Sequence, residues 1–466
     1  MRFLLRLFVA AILCFAAFYS DAMAREQPNI IVILADDLGY SDLGCFGGEI
    51  NTPTLDSLAE NGLRCTQMYS TARCCPSRAS LLTGLYQHQA GVGHMVYRNW
   101  GEGYEGSLNE NCITLGEALK TAGYATFMSG KWHVAAHKEP PAHSLPENRG
   151  FDRSTAVRTH IDSYWKVLAG CDIYRDGKIL IKGDNEKTNL RDPYKPDQDF
   201  YTTNFFTDVA IEYMEDTLRT DEKPFFLYLA YNAPHTPIQP PDAWYQRVKA
   251  RESNITDRRA KLVALIEHMD YGIGTVIEAL QVSNQLEETL IIFTSDNGGQ
   301  LNVGAHCGPF RGGKQDMYEG GIIVPACAVW PGVIEPGGRS DQLLMTMDIY
   351  PTLCEVAGKP ISTQVEGQSF LSTLRGEKSP QKTRDMVWVR REGNMRYQGR
   401  DYYAFRRGNW KLVQNSPFTP YELYNIEKDP QETTDLSKDN PGIHRMLVRG
   451  LMDHIQEAGR VNWQKP

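Results

Sequence analysis

Four apolar runs punctuate the chain: NIIVILA from Asn29 to Ala35, YATFMS from Tyr124 to Ser129, PFFLYLAY from Pro224 to Tyr231 and TLIIFTS from Thr289 to Ser295. Each ends in a polar or glycine-rich turn. Between them, Thr52 to Gly62, Thr114 to Gly123, Phe205 to Leu218 and a long segment from about Asp257 to Val282 repeat apolar residues at helical spacing, with caps and glycine stops at their ends. Strand patterns alternating with helix patterns predict an α/β fold, a large, mostly parallel mixed sheet sandwiched by helices.

The pattern changes after the polar, linker-like stretch Ser372 to Asp385. Short alternating segments follow, MVWVRR, YYAFRRGNWKLVQN and YELYNI, and then an amphipathic closing segment, GIHRMLVRGLMDHIQEAG. This predicts a smaller C-terminal α+β subdomain of a short antiparallel sheet plus a helix. The expected division is a main α/β domain over residues 25–380 and the subdomain over 381–466. No internal repeat or low-complexity tract is evident.

Residues 1–24 carry a basic start (Arg2, Arg6), an apolar middle too short to span a membrane comfortably and a small-residue end at Ala22-Met23-Ala24. This predicts a cleaved secretory signal and a secreted or periplasmic protein, lysosomal or extracellular if the source is a eukaryote, without stable membrane insertion. An uncleaved anchor over Leu4 to Phe18 is the other reading. Asn254-Ile255-Thr256 is a glycosylation sequon if the source is a eukaryote.

With 466 residues, 41% hydrophobic and 23% charged, the chain is long enough for one large domain and a smaller one. A net charge of −8 argues against a nucleic-acid partner, which calls for a basic face. An anionic substrate then requires positive charge concentrated in a site.

Each apolar run delivers charged or imidazole residues at its C-terminal end, where open α/β sheets place their ligands. The first ends in Asp36-Asp37, the second in Lys131 and His133, the third in His235 and the fourth in Asp296-Asn297. Three carboxylates and an amide are oxygen ligands for a hard divalent cation, calcium rather than magnesium for an all-protein cage. A lone Asp-Asp pair is equally an ordinary capped turn, but a second acid-amide pair after a similar strand weighs against that. Lys131, His133, His235 and Lys314 add cationic donors and a general acid or base.

Ten cysteines include Cys14 in the signal, leaving nine. An odd number in an oxidising compartment leaves at least one thiol unpaired, intermolecular or chemically changed. Without a C-x-x-C pair, a thiolate zinc site has little support.

Cys74-x-Pro76-Ser77-Arg78-x-x-x-Leu82-Thr83-Gly84 matches in full the signature of the type I sulfatases, within the alkaline-phosphatase-like superfamily. Supporting motifs follow in the family's order: ADDLGYSDLGCFGG, GLYQHQAGVGHM, GYATFMSGKWH, YNAPHTP, TSDNGG, GGKQDMYEGG and ELYNIEKDPQETTDLS. The set resembles the arylsulfatase branch. The resemblance implies that a maturation enzyme acting on the unfolded chain converts Cys74 to formylglycine, leaving eight cysteines, an even number that does not by itself prove four bridges. Cys75, at the variable position, is then a buried apolar residue or a disulfide partner.

The hydrated aldehyde offers two hydroxyls on one carbon. One attacks sulfur, and deprotonating the other expels sulfate, an exit that serine or cysteine lacks. The resemblance further implies that Asp36, Asp37, Asp296 and Asn297, with the converted Cys74, hold one calcium ion. Arg78 and Lys131 would hold the hydrate, Asp296 would serve as base for attack and His133 as base for elimination. His235 and Lys314 would bind sulfate oxygens and protonate the leaving group.

Two departures touch no catalytic position: GKWHVA in place of the commoner Gly-Lys-Trp-His-Leu-Gly, and Ile323 where many relatives carry arginine. The expected substrate is a sulfated small molecule or glycan. Alternatives are a phosphate or phosphonate hydrolase of the same superfamily, which the Cys74 signature disfavours, and an unmatured binder of sulfated glycans, which would need a damaged site. Ser154 to Gly170 and the aromatics Tyr97, Trp100 and Tyr104 suit a leaving-group pocket and equally suit core or rim positions.

Overall fold

A computed structural model describes residues 27–186, 190–220, 223–361, 364–377, 384–392 and 401–458. The signal reading (1–24) and the boundary between 380 and 381 lie outside the described residues. Two of the four expected strands have the expected ends, β1 (Asn29–Ala35) and β8 (Thr289–Ser295), and the others are β3 (Ala125–Lys131) and β7 (Phe225–Ala230). The sequence pattern did not mark β2 (Leu63–Tyr69), β4 (Arg153–Val157), β5 (Ile173–Arg175), β6 (Lys178–Ile181), β9 (Ile323–Val329), β10 (Gly338–Ser340) or β11 (Leu344–Met345).

These strands form an 11-stranded mixed sheet in the order β10-β2-β9-β8-β1-β7-β3-β4-β5-β6, with β11 also on β2. Strands β8, β1, β7, β3 and β4 run parallel to one another, while β9, β5 and β6 bring in the antiparallel pairings.

Strand β1 explains why its run is continuously apolar. Ile30, Val32 and Leu34 enter the core on one face of the sheet, and Ile31, Ile33 and Ala35 enter the core on the other. The first face is covered by helices that include Cys74–Thr83, Leu115–Thr121 and Ile349–Val356, and the second by Pro53–Glu60, Thr202–Thr220 and Asp257–Val282.

The C-terminal region builds a separate antiparallel sheet, β12 (Asp385–Arg391), β13 (Asp401–Arg407), β14 (Trp410–Gln414) and β15 (Glu422–Asn425), in sequential order. The segment read as YYAFRRGNWKLVQN is thus a hairpin whose Gly408 has φ 57°, the conformation that a two-residue turn demands of its first central residue. Helix Pro441–Ala458 packs Leu447 and Leu451 on this sheet. The same cluster takes in Tyr69, Ile323 and Met345, so the small sheet is fastened to the β2/β9 edge of the large one. Ile323 is a buried member of that seam.

Candidate active site

Because β1, β7, β8 and β3 are parallel neighbours, their C-terminal ends lie side by side. The four polar clusters named from sequence therefore converge at one edge. Backbone bonds tie the turns together: the Asp36 amide donates to the Ala233 carbonyl at 3.0 Å and the Asp296 amide to the Ala35 carbonyl at 3.1 Å.

Cys74 follows the C-terminal end of β2, which runs in the same direction as β8, and is the first residue of helix Cys74–Thr83. All ten residues of that helix are buried. It has no solvent-exposed face, so hydrophobic periodicity could not have revealed it. Four residues on from Cys74, Arg78 lies on the same helix face, one turn away.

Arg78 donates from Nε and Nη2 to Asp296 Oδ2 at 3.1 and 2.9 Å and from Nη1 to the Lys131 carbonyl at 3.0 Å. Its Nη2 also lies 3.6 Å from Asp36 Oδ2, to which Lys131 Nζ donates directly. Lys314 Nζ donates to Asp37 Oδ2 at 2.5 Å, and His235 Nε2 lies 3.7 Å from the same oxygen. Asn297 Nδ2 donates to Asp37 Oδ1 at 2.8 Å. Asp36, Asp37, Cys74 and His235 each bring a potential ligand atom within 4.8 Å of the others. Asp296 is joined to this group through Arg78 and through the Asp37 amide, which donates to its Oδ1 at 3.2 Å.

The electrostatics follow from burying so many charges together. Burial works to raise the Asp36 carboxyl, but Lys131, His235, Arg78 and Lys314 outweigh it and hold it well below the usual range. Burial, reinforced by Asp36, pushes Asp296 up to about 7 despite Arg78 and Lys131. Burial likewise pushes the Cys74 thiol up, with Lys314 and Lys131 in partial opposition. For His133, burial together with Lys131 and Arg78 holds the imidazole well below its ordinary value, so it is a neutral base. Neither of its ring nitrogens has a hydrogen-bond partner among the described residues. His235 is lowered by burial, against the pull of Asp37 and Asp36.

The donor set fits a hard cation. Asp36 Oδ1 and Asn297 Oδ1 are buried without hydrogen-bond partners among the described residues, two acceptors on residues of the strand-end group. Backbone strain concentrates here as well. Asp37 and His133 hold φ of 70° and 59°, which L residues rarely adopt.

Outside this group opens a cavity of about 910 Å³ whose wall includes Cys74, His133, His235 and Lys314. Sequence reasoning did not single out Arg73, Gln300, Asn302 or Gln315, which also line it. Arg73 sits beside the signature cysteine; the others have no local signal. Of the residues left open, Tyr97, His160 and Asp162 reach the cavity. Trp100 and Tyr104 instead pack around His94, with ring centroids 5.1 and 5.7 Å away. All nine described cysteines are unpaired, and Cys75 is a buried apolar residue with Sγ 3.5 Å from Met95 Sδ.

A carboxylate-rich strand-end cluster backed by arginine and lysine, on a mixed sheet sandwiched by helices, is the layout of a hydrolase of the alkaline-phosphatase-like superfamily. Residues 28–359 match the family Sulfatase, and residues 311–458 match the C-terminal region of N-sulphoglucosamine sulphohydrolase. The chain belongs to the sulfatase family and is a type I sulfatase, a sulfuric ester hydrolase.

It is 32% identical to Arylsulfatase A of Homo sapiens over 457 residues, covering 89% of this chain and 84% of that protein. It is 31% identical to Arylsulfatase J of Mus musculus over 497 residues, covering 94% and 77%. Among solved structures, Ps i-CgsB in complex with k-i-k-neocarrahexaose superimposes with a TM-score of 0.80 at 28% identity over 94% of each chain. The phosphonate monoester hydrolase of Agrobacterium radiobacter shares the fold, with a TM-score of 0.66 at 20% identity over 93% of this chain and 96% of that one.

Proposed function

We propose that this sulfatase acts on sulfated glycans or aryl sulfates through formylglycine formed from Cys74 and one calcium ion. The observation that carries the reading is the seating of the Cys74–Arg78 helical turn against the strand-end carboxylates. It places residue 74 within the same cluster as Asp36 and Asp37 and gives its helix a direct ion pair to Asp296.

Asp36, Asp37, Asp296 and Asn297, with the residue 74 side chain, would hold the calcium, which when bound neutralises these carboxylates and polarises oxygens brought against it. The Cys74 Sγ stands in for the hydroxyl oxygens of the converted side chain. Arg78 orients Asp296 as the base for attack on sulfur. Lys131, paired with Asp36, places positive charge beside residue 74. His133, neutral and with open ring nitrogens, accepts the proton whose removal releases sulfate. Lys314 and His235, on the cavity wall, bind sulfate oxygens and hand a proton to the departing alcohol or phenol.

A glycan substrate is supported by the polar wall of Gln300, Asn302, Gln315, His160 and Asp162, and by the carbohydrate bound to Ps i-CgsB. The reading includes a signal peptide over 1–24, a catalytic domain over 25–380, a C-terminal subdomain over 381–466, secretion, and maturation on the unfolded chain by a formylglycine-generating enzyme. Among the described residues no helix is long and apolar enough to cross a membrane.

Intact mass tests the modification, since formylglycine is lighter than cysteine. Turnover of 4-nitrophenyl sulfate against 4-nitrophenyl phosphate, with and without calcium, tests the chemistry. A cysteine-mass enzyme that is fully active, or one that prefers the phosphate, overturns the reading.

A further inference from the structure

The C-terminal sheet sends a buried ion pair toward the active site. Arg390, near the end of β12, and Glu392, just beyond it, are 5% and 2% exposed. Glu392 Oε1 lies 3.3 Å from Arg390 Nε and 3.5 Å from Arg73 Nη1. Arg390 also donates from Nη1 to the Gln315 carbonyl at 2.9 Å and from Nη2 to the Gln315 side-chain oxygen at 3.3 Å. The pair therefore touches both flanks of the site. Arg73 immediately precedes Cys74, and Gln315 immediately follows Lys314.

Both flanks are strained. Ala72 and Gln315 hold φ of 65° and 83°, and the Gln315 amide donates to the Ala72 carbonyl at 3.3 Å. Non-glycine residues stay in such conformations only where their surroundings over-determine them. Here the C-terminal sheet supplies much of that constraint. Besides Arg390, Asn415 accepts from the Met317 amide at 2.7 Å and donates to Asp316 Oδ1 at 2.9 Å.

We propose that Arg390 and Glu392 are positioning residues that lock the Ala72–Gln315 junction and so set the distance between residue 74, which bears the nucleophile, and the Lys314 ammonium, which serves the leaving group. This rests on the sulfatase mechanism above. Without the clasp, the Lys314 backbone is free to shift, and the ammonium, already held on Asp37 at 2.5 Å, moves with Asp37 rather than with the reacting ester.

The test uses calcium-loaded enzyme whose residue 74 conversion is verified by mass, and two esters that differ in leaving-group basicity, 4-nitrophenyl sulfate and phenyl sulfate. Arg390→Met is expected to lose about 10- to 100-fold in kcat/KM toward the first, the scale of a small misplacement of reacting groups. Toward phenyl sulfate, which depends more on proton donation, the expected loss is about tenfold larger again. Glu392→Gln, which keeps the shape, should give the same signature, and Arg390→Lys should recover part of it. Arg391→Met, whose parent side chain contacts the Tyr403 hydroxyl at 3.1 Å, should leave the ratio between the esters unchanged.

Merely structural damage lowers both esters equally. An unchanged ester ratio in Arg390→Met and Glu392→Gln, at any level of activity, overturns the positioning role. If Arg390→Met fails to fold, Arg390→Lys decides, because a lysine keeps the charge beside Glu392 but cannot span both Gln315 oxygens. Wild-type enzyme, once converted, that hydrolyses neither ester overturns the underlying mechanism instead.

Discussion

Arg78 and Asp296 face each other across the end of the sheet, 218 positions apart in sequence, with two guanidinium nitrogens on one carboxylate oxygen and no exposed side-chain surface on either partner. The pair fastens the Cys74–Thr83 helix to the end of β8. Breaking one half of a buried ion pair strands the other, at about 3–5 kcal/mol. Arg78→Ala is therefore expected to lower the melting temperature markedly and to abolish turnover. Arg78→Lys should keep most of the stability yet lose activity, since it cannot fork to Asp296 and the Lys131 carbonyl together. A fully active lysine variant would show that the fork is dispensable.

Cys74→Ala contrasts with this. The thiol makes no ion pair, so a folded, calcium-binding protein with a near-native melting temperature and essentially no sulfatase activity is expected. Calorimetric calcium titration and aryl sulfate turnover check both halves, and turnover near the wild-type rate removes formylglycine from the mechanism.

Metal removal should act on the same carboxylates. Exhaustive chelation is expected to abolish activity and calcium to restore it. Asp296→Ala should weaken calcium binding and be only partly rescued by excess calcium, because a lost carboxylate leaves the ion less compensated. Activity that survives chelation in the wild type would show the metal assignment to be wrong.

His133→Ala should separate the two halves of the reaction. In the proposed mechanism its role is confined to releasing sulfate, so rapid mixing with 4-nitrophenyl sulfate is expected to give a burst of about one phenol per active site and then a slow steady state. Quenched enzyme should be heavier by one sulfate at residue 74. A variant that is slow from the first turnover, without burst or adduct, places His133 in attack or binding.

Stability should respond to His268, which is not part of the strand-end carboxylate group and packs between Tyr201 and Trp244 at 4.9 and 5.4 Å. Burial holds its folded pKa down to about 4. Between pH 6.5 and 4 the unfolded chain binds a proton that the folded chain does not, so acidification through this window destabilises, by about 3 kcal/mol when complete. His268→Gln is expected to flatten denaturant-derived stability against pH across that window. An unchanged slope would mean that the imidazole takes up its proton over the same pH range in the fold as in the unfolded chain.

Much of this site was legible in one dimension, and the reason is topological. In a parallel sheet every strand ends at the same edge, so Asp36, Lys131, His235 and Asp296, each just past or at the end of an apolar run, were bound to converge once those runs were read as neighbouring strands. The Cys74-x-Pro-Ser-Arg78 spacing carried its own geometry as well, since four residues make one helical turn.

Tertiary structure alone decided the rest. Helix Cys74–Thr83 carries no periodic signal because every residue is buried. Strand β9 breaks its apolar run with Pro325, and Leu63–Tyr69 interleaves polar residues because it lies near the sheet edge. Nor could any spacing have announced that Arg390 and Glu392 would reach Gln315 and Arg73. That contact exists because the C-terminal sheet buries its apolar face, with Trp388, Phe405 and Leu412, on the seam with Tyr69 and Ile323. Composition specifies that such a face must be buried; only the packed fold chooses what it is buried against, and with it which charges meet.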